Sequence, residues 1–479
     1  MFSTRGDATR IAPSKPKNAS IRIGKVLTVR DKPVLMTKPH ELHLASRDAS
    51  NMVGAASALV MPRSVDDVVE IVSDCRRRNV PFVARGAGTG LAGGAVPPDG
   101  AVVVSMMTMN RIREIDPVGR TAWVEPGVLN ADLSRATARF GLHFAPDPSS
   151  QQSCSIGGNV GNNSGGPHCL SAGVTSAHVL AVEAVLTDGS VVVLDTSGAP
   201  FDLRGAFVGS EGMFGIATAV KVRLTQNPPH HATVVVGFPT IDAGARAVSA
   251  IIAGGTVPSA LEMMDAPITR AVEEYVHAGF PLDAGALLII EVEGLHNGVE
   301  SDIATCLRVC SDFGATSVRR AADEAERAVI WKGRKTAFGA IARIKPNYYL
   351  HDTVVPRRKL AEVLEAVSWI AHAEDLAVMN VFHAGDGNLH PLLLFDKREA
   401  GVMDRVHRAG AEIVRVSVEA GGVLSGEHGI GLEKRDFMDL MFDEASLAAQ
   451  AMLRHAFDPV GLANPGKVLP SAAGCGDRQ

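Results

Sequence analysis

The chain has 479 residues, of which 46% are hydrophobic and 21% charged, and carries a formal charge of −5 at pH 7. That balance excludes a disordered polypeptide, and the lack of a basic excess excludes a nucleic-acid partner, whose phosphates demand a positive face. No apolar run approaches the ~20 residues that cross a bilayer, and the opening MFSTRGDATR lacks an apolar signal core, so a cytoplasmic protein without a transmembrane segment is expected.

The length predicts two large domains with terminal extensions. Glycine is the compositional outlier, with 48 residues against a usual share of about 7%. Six cysteines (Cys75, Cys154, Cys169, Cys306, Cys310 and Cys475) are too few and too scattered for a disulfide scaffold or an iron–sulfur site, and Cys306 and Cys310 read as helix neighbours.

In chain order, residues 1–54 read as an extension without sustained periodicity. SALVMPRSVDDVVEIVSDCRRRN then reads as strand, turn and helix, with Ser64 as N-cap and Val65, Val68, Val69, Val72 and Cys75 at helical spacing. A strand at 80–84 runs into glycines, short strands follow at 101–105 and 121–125, and Asp188-Gly189 marks a hairpin between HVLAVEAVLT and VVVL. Residues 55–227 therefore form a mixed α/β domain. After Pro228-Pro229, strands alternate with helices at 242–254, 299–314, 323–340 and 358–373, so 228–430 is expected to be a second domain with a helix-backed sheet. Residues 431–479, with a helix at 444–457, are expected to pack back on the first domain. There is no internal repeat.

Three glycine clusters stand out: RGAGTGLAGG (Arg85 to Gly94), CSIGGNVGNNSGGPHCL (Cys154 to Leu170) and GSEGMFGIAT (Gly209 to Thr218). Gly88, Gly90 and Gly93 formally satisfy the G-x-G-x-x-G pattern of an NAD site. That pattern must open a helix, whereas here Val96-Pro97-Pro98-Asp99-Gly100 leads into the strand AVVVSM, so the glycines form a loop between strands. Any one cluster is more often an ordinary turn. Three together fit a large planar cofactor with a diphosphate, because glycine frees backbone N–H groups to converge on an anion.

The second half contributes NVFHAGDGNLHPLLLF, with His383 ending one strand and His390 starting the next, and VLSGEHGIGLEK, with Glu427 and His428 between glycines. Two imidazoles and a carboxylate make a set of three ligands for a divalent metal with an open position, and the lack of a nearby Cys favours zinc, manganese or iron. The His spacing alone is more often two buried structural histidines.

Taken together, VARGAGTGLAGGAV, APDPSSQQSCSIGGNVGNNSGGPHCL and GSEGMFGIAT resemble the FAD-binding segments of the vanillyl-alcohol-oxidase and p-cresol-methylhydroxylase (PCMH) type of flavoprotein. The branch resembled is that of the bacterial glycolate oxidase FAD subunit and D-lactate dehydrogenase, from about residue 20 to residue 470. The resemblance implies an α+β fold: a two-part PCMH-type FAD-binding domain, a ferredoxin-like cap domain with a helix-backed antiparallel sheet, and C-terminal helices. It implies that Arg85, Gly86, Ala87, Gly88, Thr89 and Gly90 hold the pyrophosphate. Pro146, Asp147, Ser149, Gly157, Gly158, Asn159, Gly161 and Asn162 would line the flavin, and Glu211, Gly212, Gly215 and Ile216 would close the adenine side. Some members tether FAD to a His in the first loop; RGAGTGLAGG has none, so a noncovalent FAD is expected.

The same resemblance makes His383, His390 and Glu427 metal ligands, His428 the base, and Arg334, within IWKGRKTAFGAIARIKPNYYLHD, the clamp on a substrate carboxylate. Relatives acting on D-2-hydroxyglutarate carry a Lys near the position of Tyr349, so a small monocarboxylate such as glycolate or D-lactate is expected here. The implied activity is FAD-dependent oxidation of that acid, with hydride passing to flavin. Electrons would go on to a non-NAD acceptor: a quinone, a cytochrome or an iron–sulfur subunit of a hetero-oligomer at the inner membrane. The competing readings are a metal-dependent hydrolase built on His383, His390 and Glu427, and a noncatalytic subunit that keeps the FAD fold.

Overall fold

The structure is a computed structural model that describes residues 33–50, 52–197 and 201–470. Cys475 and most of the expected N-terminal extension lie outside the described residues.

Two large sheets build the first half, beside a short pairing of Leu142–His143 with Thr225–Gln226. Ala56–Met61, Ala101–Ser105 and Phe82–Arg85 pair in parallel in that order. The segment Val34–Met36, within the stretch read as an extension without sustained periodicity, adds an antiparallel edge strand to Ala56–Met61. The helix Val65–Arg78 begins where its residues dictate: Ser64 Oγ accepts from Asp67 N at 3.1 Å while the Asp67 carboxylate accepts from Ser64 N at 3.2 Å. These reciprocal bonds satisfy N–H groups that a helix start leaves open. The second sheet is antiparallel, in the order Ile112–Asp116, Thr121–Val124, Ile216–Arg223, Val179–Val185, Val191–Leu194. Its last two strands are the expected hairpin, closed by Gly189 N donating to Leu186 O.

The first glycine cluster runs as irregular backbone between Phe82–Arg85 and Ala101–Ser105, as the prolines at 97 and 98 require. The second also supplies packing side chains. Ile156–Asn162 is a short helix capped by Ser155, and Ile156 and Val160 are buried in the core of this half. Of its other five positions, Gly157, Gly158 and Gly161 are bare backbone, Asn159 is buried and Asn162 half-buried.

The second half is built on an antiparallel sheet that runs from the edge strand Ser317–Arg320 through His230–Phe238, Ala286–Gly294 and Ala260–Asp265 to Ala377–His383. His230–Phe238 and Ala286–Gly294 are buried almost end to end rather than at alternate positions, because helices cover both faces of the sheet. Val234, Val236 and Phe238 pack toward Ile241–Ala253, His296–Asp312, Leu360–Ala373 and Val402–Glu419. Val235, Leu287 and Ile289 pack toward Ala266–Val276, Glu324–Lys335 and Ala337–Ile341. Cys306 and Cys310 are free, buried neighbours on one helix, as expected.

The single helix expected at 323–340 is two, Glu324–Lys335 and Ala337–Ile341, joined at Thr336. The Thr336 hydroxyl donates to Lys332 O at 2.7 Å, the local bond by which Thr competes with a continuing helix. The helix Glu444–Phe457 returns to the first half, where Phe457 stacks on Phe214 at 4.5 Å and Asn464 N donates to Phe82 O. Among the described residues no helix is long and apolar enough to cross a membrane.

Candidate active site

A cavity of about 450 Å³ joins the two kinds of motif. One end is walled by the glycine clusters, from Arg85 to Gly90, Gly157 to Asn162, and Ser210 to Gly212 with Gly215 and Ile216; the other is walled by Lys335, Phe338, His390, Glu427 and His428. Its volume falls within the range of roughly 300–1,000 Å³ usual for ligand sites.

The glycine-lined end fits a large cofactor. A Cβ built at Gly161 meets no protein atom within 4 Å, so the exposed face of its helix is open where a flat ring can lie against the backbone. Arg85 Nη1 is buried without a partner, a donor suited to a phosphate oxygen. Pro146 and Asp147, expected to line the flavin, do not reach the cavity. The Pro146 carbonyl accepts from Asn130 Nδ2 at 2.9 Å, and the Asp147 carboxylate is engaged by His168 and Lys335 at 2.9 and 3.1 Å. Glu211, expected on the adenine side, does line the cavity. Its Oε1, however, accepts from Ile430 N at 2.7 Å and Gly431 N at 3.1 Å, tying it to the loop that carries His428. Glu211 adopts a left-handed φ of 50°, unusual for a residue other than glycine.

At the other end, ligand atoms of His383, His390 and Glu427 all lie within 4.8 Å of one another. Glu427 Oε1 is 3.3 Å from His383 Nε2 and 3.5 Å from His390 Nε2. His390 is buried, yet neither of its ring nitrogens has a hydrogen-bond partner. Such a group costs about 1–3 kcal/mol unless something accepts its lone pair or its proton, and a divalent ion does so. The donor set therefore fits a metal bound through nitrogen and oxygen. Burial opposes charge on His383, but the Glu262 and Glu427 carboxylates outweigh it and hold its pKa well above the usual imidazole value.

Two carboxylates that sequence reasoning missed organise this end. Glu262 is the cross-strand neighbour of His383 and accepts from its Nδ1 at 2.7 Å, which leaves Nε2 turned to Glu427. This is the outer bond that fixes the orientation of a metal-binding imidazole. Glu262 Oε2 also accepts from Arg334 Nε at 2.6 Å. Arg334 is therefore buried behind the wall, with Nη1 unpartnered, while the next residue, Lys335, reaches the wall itself. The only local signal for Glu262 is an acid inside the apolar strand ALEMMD.

Asp352, fully buried, is the second. Its Oδ2 lies 3.1, 3.2 and 2.9 Å from the backbone nitrogens of Gly426, Glu427 and His428, and Oδ1 accepts from Asn388 Nδ2 at 2.6 Å. Lys434, also buried, stands 3.6 Å away as its counter-ion. Burial alone would raise its pKa, but Lys434 and His428 hold it well below the carboxylate range. From the first half, Asn162 Nδ2 donates to His428 O at 2.8 Å. Gly429 completes the turn at φ 89°, where a Cβ would stand 2.6 Å from Glu211 Oε1.

His428 itself is stacked on His390, with ring centres 5.0 Å apart. Burial and the neighbouring His390 lower its pKa, against the opposing pull of Asp352. A neutral imidazole at pH 7 can accept a proton. Tyr349 does not line the cavity; its ring packs edge-on against His351 at 4.7 Å.

Residues 56–195 match the FAD binding domain family, and residues 227–468 match the FAD linked oxidases, C-terminal domain. The chain is 46% identical to the glycolate oxidase subunit GlcD of Escherichia coli (strain K12), over 88% of this chain and 85% of that protein. It is 28% identical to the probable mitochondrial D-lactate dehydrogenase of Danio rerio, over 86% and 84%. The fold superposes on p-cresol methylhydroxylase with a TM-score of 0.78 at 16% identity, covering 91% of this chain and 93% of that one. Matched across both halves and at this level of identity, the chain belongs to the FAD-linked oxidases and is an FAD-dependent oxidoreductase.

Proposed function

We propose that this protein oxidises a small 2-hydroxy monocarboxylate, glycolate or D-lactate, to the corresponding 2-oxo acid. The observation that carries the reading is the shared cavity: the open glycine face at Gly161 and the His390, Glu427 and His428 side chains border one space. The printed activities of the GlcD and D-lactate dehydrogenase relatives agree with it.

In this reading Arg85 to Gly90 would hold the pyrophosphate of a noncovalent FAD and Gly157 to Asn162 would take its ring system. Bound FAD supplies the acceptor for the hydride from C2. His383, His390 and Glu427 would hold a divalent ion, which would supply a Lewis acid that lowers the barrier to losing the substrate hydroxyl proton. His428 accepts that proton at a ring nitrogen, a step worth about 10²–10⁴ in rate. Asp352 and Asn162 keep the imidazole aimed by holding its backbone from opposite sides. The last turn of Glu324–Lys335 meets the substrate carboxylate through Lys335 on the wall, while Arg334, the clamp expected from the sequence, stands buried behind it against Glu262. Electrons leave to a quinone, a cytochrome or a partner iron–sulfur subunit.

The test is anaerobic flavin reduction, followed near 450 nm, across glycolate, both lactate enantiomers and 2-hydroxyglutarate. Bleaching by glycolate or D-lactate is expected. A flavin that none of these acids reduces would overturn the reading.

A further inference from the structure

A partly buried ionic seam, which reaches the cavity wall at Lys335, joins the two halves. The helix Glu324–Lys335 presents Arg327, Trp331 and Lys335 at intervals of four, hence along one stripe. Each meets an acid. Arg327 Nη2 and Nε lie 2.6 and 2.9 Å from the two oxygens of Glu291, Trp331 Nε1 donates to Glu291 Oε2 at 2.6 Å, and Lys335 Nζ lies 3.1 Å from Asp147 Oδ2. His168 links the two acids: Nδ1 is 2.9 Å from Asp147 Oδ2, Nε2 is 3.2 Å from Glu291 Oε1, and the ring lies 5.2 Å from that of Trp331.

Asp147 and His168 come from the glycine-loop half; Glu291, Arg327, Trp331 and Lys335 come from the sheet half. Two ring nitrogens facing two carboxylates can both donate only if the imidazole is charged. Burial works against that charge, but Asp147 and Glu291 outweigh it and push the His168 pKa up to about 10. Each acid also has its own cation, Lys335 for Asp147 and Arg327 for Glu291. Removing the imidazole therefore leaves no uncompensated carboxylate; it removes a crossing bond between the halves.

We propose that His168 is a positioning residue: it fixes the helix Glu324–Lys335 against the glycine-loop half, so that the last turn of that helix is held at the substrate end of the cavity. The proposal rests on the reading above in assigning the substrate carboxylate to that turn. His168 touches neither the cavity wall nor the imidazole–carboxylate cluster.

The experiment compares wild type with His168→Ala and His168→Gln, each purified as the full chain with FAD. Flavin content, KM, kcat and amide hydrogen exchange across 324–335 are measured for each, with and without added imidazole. His168→Ala is expected to keep its flavin and to raise KM about tenfold or more, the loss of a hydrogen bond between charged groups, with a smaller fall in kcat. Exchange should rise across 324–335 and stay unchanged across 360–373, and imidazole should restore both KM and protection. His168→Gln, which keeps a donor, should fall between. Unchanged KM and exchange in both variants would overturn the proposal, as would a KM defect that imidazole leaves unrepaired while exchange stays at the wild-type level. Should His168→Ala fail to fold, the same readouts in His168→Gln decide. If no 2-hydroxy acid reduces the wild-type flavin, the substrate reading fails, and exchange across 324–335 still decides whether His168 pins the helix.

Discussion

Asp352 Oδ2 stands 2.9 Å from the backbone nitrogen of His428, and the same oxygen faces the nitrogens of Gly426 and Glu427 at 3.1 and 3.2 Å. One buried charge thus fixes both Glu427, proposed as a metal ligand, and His428, the proposed base, by holding their backbone rather than their side chains. Asp352→Asn removes that charge and leaves Lys434 buried beside a neutral amide. The expected cost is about 3–5 kcal/mol of stability, read by urea unfolding, together with at least a tenfold loss of flavin reduction. Wild-type stability in this variant would show that the backbone bonds, not the charge, shape the loop.

His428→Ala should retain FAD and metal yet reduce its flavin about 10²–10⁴-fold more slowly. Stopped-flow reduction under anaerobic conditions measures this directly. Normal reduction in the variant would remove His428 from the proton transfer.

Glu262 is expected to act on the metal through His383. Glu262→Gln keeps the size of the side chain but loses the charge facing the imidazole and Arg334, and metal affinity should fall about 10–100-fold. Titration of the metal-stripped protein with zinc or manganese reads the change. Equal affinities would mean that His383 is oriented by packing alone.

The two cations at the end of the Arg334 helix separate by kinetics. Lys335→Ala, on the cavity wall, should raise KM for glycolate or D-lactate while metal content stays at the wild-type level. Arg334→Ala should raise KM and also weaken metal binding, because it leaves Glu262 without its guanidinium. If only Lys335→Ala raises KM, the carboxylate meets the ammonium and Arg334 serves the metal site alone.

Glu211 predicts a pH dependence. Burial pushes its pKa up from 4.5 to about 7, only partly offset by the Ile430 and Gly431 amides. Between these values the folded protein binds a proton that the unfolded chain has lost, so Glu211 makes stability fall as pH rises from 4.5 through 7, with the full penalty above that range. Glu211→Gln removes this slope. Relative to wild type, the variant should gain on the order of 3 kcal/mol between pH 5 and pH 8, seen in urea unfolding at each pH. Parallel pH profiles would contradict it.

Much of the layout was legible before any coordinates. The Ser64 cap, the Asp188-Gly189 hairpin and the helix Glu444–Phe457 follow from local chemistry, and local chemistry is what a short window of residues carries. The rejection of an NAD site rested on Pro97-Pro98 and agrees with the irregular loop between parallel strands. Less legible were features set by distant partners. Arg334 is drawn behind the wall by Glu262, 72 positions away, and leaves Lys335 at the wall, and the helix inside CSIGGNVGNNSGG depends on its two apolar residues finding a core.

The sequence by itself determined which chemistry is available: three glycine runs without side chains, two histidines across a tight turn, and a Glu-His pair between glycines. Each depends only on residue type and near neighbours. The tertiary structure alone decided how that chemistry is aimed. Glu262 reaches His383 across 121 positions of chain, Asp352 reaches His428 across 76, and Asn162 reaches the same loop across 266. Such bonds form because folding brings buried charges and amides together where each must find a partner, and no local pattern records which partner that will be.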